Sequence, residues 1–267
     1  MQKKLPMQKY SFTLFTVVFL SLASFSQRLD YDHSSKWFLG FNAGATWSST
    51  DVKNLTNGGW GLTLGKSYNW TTGRIISFDL RARYLHGNWY GQDHDTSMLS
   101  NYSGGPLMTY KDTFNMTAHN FMNEQHRLAL ELVLHANRFA ERTNWDPYIF
   151  GGIGVTWWQT WGNLYLHDTA LYNYPSMVSS GNLSNAITTS LDNTYETRLD
   201  QLSGNKWKAK LMPSLGIGLG YNLGPRVQIG IEHKTTFTGI DNWDGVKSNY
   251  RVKNDNSILP RPNYQSL

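Results

Sequence analysis

The residues best placed to do chemistry in this chain are charged groups spaced two apart. Asp79, Arg81 and Arg83 alternate with Leu80 and Ala82, and Glu232 and Lys234 flank His233. Glu131 and Lys210 occupy equivalent positions in two further alternating runs. In an extended chain a spacing of two puts side chains on one face. These seven residues therefore share an inner face, and their chemistry is ion pairing between carboxylates and guanidinium or ammonium groups. Buried charges of this kind are tolerated when each finds a partner, so the expected role is a structural network.

Other chemistry-bearing residues form weaker patterns. His86, His94, His119, His126 and His167 lie in or beside long polar segments, without an HExxH pair or comparable metal spacing. A Ser/His/acid set would need His86 or His126 beside Ser97, Ser100 and Asp95, and nothing in the spacing fixes that geometry. His233 falls on an apolar face, where a bulge or a rim position explains it. Gly216-Ile-Gly-Leu-Gly220 has no helix after it, so it is read as room on a crowded inner face and not as a nucleotide loop. Five Asn-x-Ser/Thr sites, at Asn54, Asn69, Asn101, Asn115 and Asn182, reflect segments rich in these residues. Cysteine is absent, which excludes disulfides and thiolate metal sites. No catalytic, cofactor or metal site is assigned, and no enzymatic activity is expected.

The elements that must position the charged face are strands. Trp37, Leu39, Phe41, Ala43, Ala45 and Trp47 alternate with Phe38, Gly40, Asn42, Gly44 and Thr46. The same period of two recurs around Trp60–Trp70, Ile76–Tyr84, Arg127–His135, Ile149–Trp157, Lys210–Tyr221 and Val227–Phe237. Seven strands result, each long enough to cross a bilayer when tilted. Their apolar faces are framed by Trp and Tyr, as at a membrane interface. Their opposite faces carry too many charges for an apolar ligand cavity. The connections alternate as well: long at 48–59, 88–123 and 163–206, short at 71–73, 138–145 and 222–225. Long outer loops and short periplasmic turns are the rhythm of outer-membrane barrels.

Composition agrees with that reading. The chain has 11 Trp, 15 Tyr, 12 Phe and 24 Gly in 267 residues, and only 16% charged residues. The net charge of +5 owes its excess to Lys3, Lys4 and Lys9, which precede the apolar run Phe12–Leu20 and the small residues Ser24-Phe25-Ser26. This is a signal peptide with cleavage before Gln27. The rest carries no basic run of the nucleic-acid-binding kind.

The segment Leu132-Val-Leu-His-Ala-Asn-Arg-Phe-Ala-Glu-Arg-Thr-Asn-Trp-Asp-Pro-Tyr-Ile-Phe-Gly-Gly-Ile-Gly-Val155 resembles the fourth-to-fifth strand hairpin of OmpA-like outer-membrane barrels. Pro213–Tyr221 and Val227–Lys234 resemble the sixth and seventh strands of that family. The resemblance implies an all-β, up-and-down antiparallel transmembrane barrel of the eight-stranded type, in the outer membrane of a Gram-negative cell envelope. The expected organisation is a signal peptide at 1–26 and a periplasmic lead at 27–35. Strands one to seven with three long extracellular loops follow at 36–238, and a fourth loop at 239–267, cut before strand eight. The competing expectation is that part of 239–267 makes a poor closing strand.

The expected function is structural: anchoring in outer-membrane lipid and lipopolysaccharide while presenting loops to an extracellular ligand. Trp89, Tyr90, Tyr102, Tyr110, Tyr165, Tyr172 and Tyr174 supply the loop aromatics. The resemblance also implies a link to peptidoglycan, through a downstream domain only. The alternatives are a narrow porin-like channel and a lipid-modifying barrel enzyme.

Overall fold

The computed structural model describes residues 24–25, 36–47, 52–68, 75–98, 106, 113–200, 207–223, 227–240, 243, 245 and 265–266. The expected lead at 27–35 and most of 239–267 lie outside them. Tyr102, Tyr110, Asn69, Asn101 and Ser100 do as well.

Seven long strands form one antiparallel sheet. We label them β1 (Lys36–Thr46), β2 (Asn57–Tyr68), β3 (Ile76–Gln92), β4 (Asn120–Ala136), β5 (Trp145–Gly162), β6 (Lys208–Asn222) and β7 (Val227–Thr236). Each pairs with its sequence neighbour, from β1 at one edge to β7 at the other. The sheet curls into an open half-barrel. The seven strands coincide with the seven alternating runs, and β3, β4 and β5 run further toward the long-loop end than the alternation does. There the outer face turns polar at Asn88 and Glu124, so the ladder persists after the apolar pattern ends.

The alternation sorts polarity in the direction opposite to a water-soluble sheet. Trp37 is 64% exposed, Leu130 60% and Ile217 61% on the outer face, while Arg127, Glu131 and Asp146 are 0% exposed inside. Aromatic pairs frame the outer face at both ends. Tyr68 stacks on Phe78 at 5.3 Å and Trp145 lies 4.9 Å from Tyr221 at the short-turn end. Trp60 meets Tyr84 at 5.7 Å at the other end.

The short connection between β4 and β5 winds into one helix, α1 (Asn137–Thr143), stopped by Asn144 in the left-handed conformation at φ 62°. The sheet's two edges approach each other. Trp47, just past β1, stacks on His233 of β7 at 5.8 Å, which accounts for a histidine on that face. Ser24–Phe25 bridge to Gln228 and Val227 and also lie beside β1, so the gap is about one strand wide at that end. That pair belongs to the segment read as the signal peptide. Gln265–Ser266 pair with Thr236 and Thr235 at the opposite end of the same β7 edge.

Candidate functional site

The inner face of the sheet carries a continuous ion network. Arg81 on β3 stands in register with Glu131 on β4, and its Nε donates to Glu131 Oε2 at 2.8 Å. Its Nη1 donates across the interior to Glu232 Oε1 on β7 at 2.9 Å. Arg83 Nη1 pairs with Glu232 Oε2 at 2.6 Å, and Lys234 Nζ with Glu131 Oε1 at 2.7 Å. Because β4, β5 and β6 separate β3 from β7 in the sheet, these bonds span the curl. Each carboxylate has at least two cationic partners, which offsets the cost of burying it.

Glycine makes the network geometrically possible. Tyr148, Gly218 and Glu232 form one row across β5, β6 and β7. The Tyr148 ring lies over Gly218, where any Cβ would collide with it, and its hydroxyl donates to Glu232 Oε1 at 2.7 Å. Gly216 makes the same room for Phe150, whose ring lies 4.4 Å from the Arg81 guanidinium and 5.3 Å from that of Arg83. Gly216 and Gly218 are therefore a bed for the aromatic rings, of which Phe150 floors the arginines.

Two further units continue the inner face. His135 bridges Asp146 at 3.0 Å and Asp79 at 3.1 Å, and Gln228 Nε2 donates to Asp146 at 2.8 Å. Arg127 donates to Thr156 Oγ1 at 2.9 Å and to the Met212 carbonyl at 2.8 Å. A small open-sided cleft lies on the long-loop side of the network, and a second on the short-turn side. Asn42, Arg83 and Glu232 line both, so the Arg83–Glu232 pair is a septum between them.

Of the seven residues expected in the network, Arg81, Arg83, Glu131, Glu232 and Lys234 come together, and Asp79 pairs with His135 in the neighbouring unit. Lys210 does not. It is exposed near the loop end of β6 and donates to the Gly239 carbonyl at 2.9 Å. Its parity is that of the inner face, but it sits above the packed interior. His135, Asp146, Tyr148 and Phe150 were missed as partners. Their parity in the alternating runs is legible, whereas the reach of a side chain over a glycine on the next strand is not.

The loop end is closed by different packing. Val52, Ala118, Phe121, Leu164, Tyr174, Ile187 and Leu199 are buried in one apolar cluster that joins the three long loops. Two short helices build it, α2 (Tyr174–Val178) and α3 (Leu183–Ser190), capped by Asn173 and Asn182 side chains. Trp243 turns inward onto Trp158 at 5.2 Å, and its carbonyl accepts from Asn123 Nδ2 at 3.0 Å. The loop aromatics are thus largely interior. Among the described residues, Tyr174 is 0% exposed, Tyr172 2% and Trp89 4%, so these three pack into the cap. Tyr90 and Tyr165 are half-buried.

Local electrostatics reflect this closure. Burial pushes the Tyr172 hydroxyl up to about 12. Burial opposes ionisation of Asp192, but backbone N–H donors from Thr194 and His167, with the Thr194 and Tyr172 hydroxyls, hold its carboxyl well below the usual carboxylate range. Burial and the neighbouring Lys53 ammonium lower His94, whose Nδ1 lies 3.0 Å from Ser184 Oγ.

On the outer wall, near the aromatic frame at the loop end, the residues that could hold a metal are His86, Glu124 and His126. The two histidines are register partners on β3 and β4, with rings stacked at 4.5 Å. The ring contacts described here are with Trp60, Tyr84, Trp207, Glu124 and the Gln125 carbonyl. Asp95, in contrast, is exposed and accepts from its neighbour Thr96. A Glu-x-His pair facing a histidine on the next strand is the signal that could have found this group. Comparison with protein-family models, with curated proteins and with solved structures found no match for this chain.

Proposed function

We propose that this chain is the membrane part of an OmpA-type outer-membrane protein. In this reading it is an eight-stranded barrel that anchors in the outer leaflet lipid and holds a folded loop cap on the cell surface, without a reaction of its own. The observation that carries the reading is the inversion of polarity: a continuous band of exposed Leu, Ile and Trp outside, and buried, paired charges inside. In water an apolar band of that extent is a liability. In a bilayer it is the surface the solvent requires. The strand path from Trp145 to Trp157 rises about 40 Å at about 3.3 Å per residue, and about 30 Å once tilted by about 40°, close to the hydrocarbon thickness. The one-strand gap between β1 and β7 suits a single closing strand, and an open edge in lipid would leave backbone groups unpaired at several kcal/mol each.

An immunoblot of the outer-membrane fraction, run unheated and heated, tests the reading. A band that shifts on heating supports a folded barrel. A protein confined to the soluble fraction, without a heat shift, overturns it.

The paired cavities on either side of Arg83–Glu232 favour a second reading, a narrow channel with this pair as its gate. Planar-bilayer conductance that rises in Arg83→Ala would support it, and a silent bilayer for both proteins would leave the network purely structural.

A further inference from the structure

The outer wall of β3 and β4 holds a group that the barrel reading does not use. In a β-ladder, residues i and i+2 on one strand and the opposed residue on the next form a triangle on one face. Glu124 and His126 occupy two corners on β4, and His86, the register partner of His126, takes the third. One donor atom from each residue lies within 4.8 Å of the other two, and His126 Nε2 is 3.5 Å from Glu124 Oε1.

Second-sphere contacts orient both rings. His86 Nδ1 is 3.2 Å from the Gln125 carbonyl, an oxygen that can only accept. As a hydrogen bond this contact needs Nδ1 to donate, which makes Nε2 the ring atom available to a metal. His126 Nδ1 is 2.7 Å from Tyr84 Oη, which leaves Nε2 directed at the Glu124 carboxylate. Either an Nε2–H of the ring or a metal ion in its place would suit that approach. A histidine whose second nitrogen is fixed by a carbonyl or hydroxyl is the usual arrangement of a metal-ligating imidazole. Trp60 and Trp207 approach the two rings at 5.8 and 5.0 Å and shield the group on its sides. All three ligands are only half-buried, so an ion can reach them.

We propose that His86, Glu124 and His126 form a binding site for a divalent transition cation of the zinc class. Two imidazoles and one carboxylate match the preferences of that class, and three protein ligands leave a coordination position open. Calcium and magnesium, which demand oxygen ligands, are excluded by the donor set. The site depends on the β3–β4 register alone and stands or falls separately from the membrane reading.

The test is calorimetric titration of Zn²⁺ into the full chain, refolded in detergent and freed of metal by chelator. Saturable one-site binding is expected. His86→Ala and His126→Ala should each weaken it by at least about 100-fold, and Tyr84→Phe, which removes only the orienting hydroxyl, by about 10-fold. His94→Ala, in the long loop that joins β3 to β4, should leave the affinity unchanged. Glu124→Gln keeps the shape of the site and provides a ligand variant should a histidine variant fail to fold; it too should weaken binding. In parallel, Cu²⁺ should quench tryptophan fluorescence saturably through Trp60 and Trp207, and the His86→Ala/His126→Ala double variant should abolish that component. Absence of saturable Zn²⁺ binding overturns the proposal. So does binding that survives loss of both histidines, which would place the ion on other histidines such as the exposed His167.

Discussion

The strand interior and the loop cap of this chain bury opposite chemistry. Between the strands the buried side chains are Arg81, Arg83, Glu131, Glu232 and Lys234, and the leucines point outward. At the loop end of the same sheet, Phe121, Leu164, Tyr174, Ile187 and Leu199 are buried together, and most polar side chains of α3 face out. The cap obeys the rule for a domain in water. The sheet obeys it in reverse, as the proposed hydrocarbon surroundings would require. The change occurs within single strands, because β3, β4 and β5 pass through both regimes. One backbone ladder serves both, since hydrogen bonding along a ladder is indifferent to which face is wet.

Substitutions can break or sharpen that contrast. The largest loss is expected from Glu131→Ala, which removes the carboxylate that Lys234 pairs with and leaves Arg81 with Glu232 alone. Breaking a buried pair this way costs about 3–5 kcal/mol, readable as a lower urea midpoint in lipid or detergent. Tyr174→Ala in the cap should cost a similar amount locally, about 3–5 kcal/mol for truncating a buried aromatic. Its signature differs: the cap becomes open to protease while the heat-shifted band persists.

Leu130→Arg separates the two solvent regimes directly. If the band faces lipid, the charge costs about 2–4 kcal/mol near the midplane. An unchanged midpoint would mean that the band faces water. Gly218→Ala is smaller, about 1–3 kcal/mol for overpacking against the Tyr148 ring, and should lower the midpoint without affecting cap proteolysis.

The smallest effect is a pH dependence confined to the cap. The folded Asp192 carboxyl titrates below its unfolded value of about 3.9, because backbone donors favour its charged form. Its contribution is complete above that unfolded value and is lost as pH falls through the folded one. Protease resistance of the 163–200 region should therefore weaken in acid below about pH 4, and Asp192→Asn should abolish that dependence.

Strand number, approximate strand limits and face assignment are legible in the residues because side-chain direction in a strand has a period of two. Leu128, Leu130, Leu132 and Leu134 cannot face the same way as Arg127 and Glu131. Membership of the charged inner face is legible for the same reason. Lys210 shows the limit: parity assigns a face but not a height, and a residue above the packed interior is free to turn outward. The loop tyrosines show another. Composition suited them to recognition, yet Tyr172 and Tyr174 found enough apolar neighbours, brought from three different loops, to bury.

What the order of residues determined by itself is therefore local and periodic: seven extended runs, two chemically distinct faces, and long connections alternating with short ones. Pairing across the curl was decided only by the tertiary structure. Arg81 and Glu232 are far apart in the chain and separated by three strands in the sheet. They meet because curvature brings the inner faces of β3 and β7 within a side-chain length of each other. The grouping of His86 with Glu124 and His126 likewise follows from strand register, which sets which residues stand opposite. Period fixes direction along one strand, whereas register and curvature are properties of many strands at once.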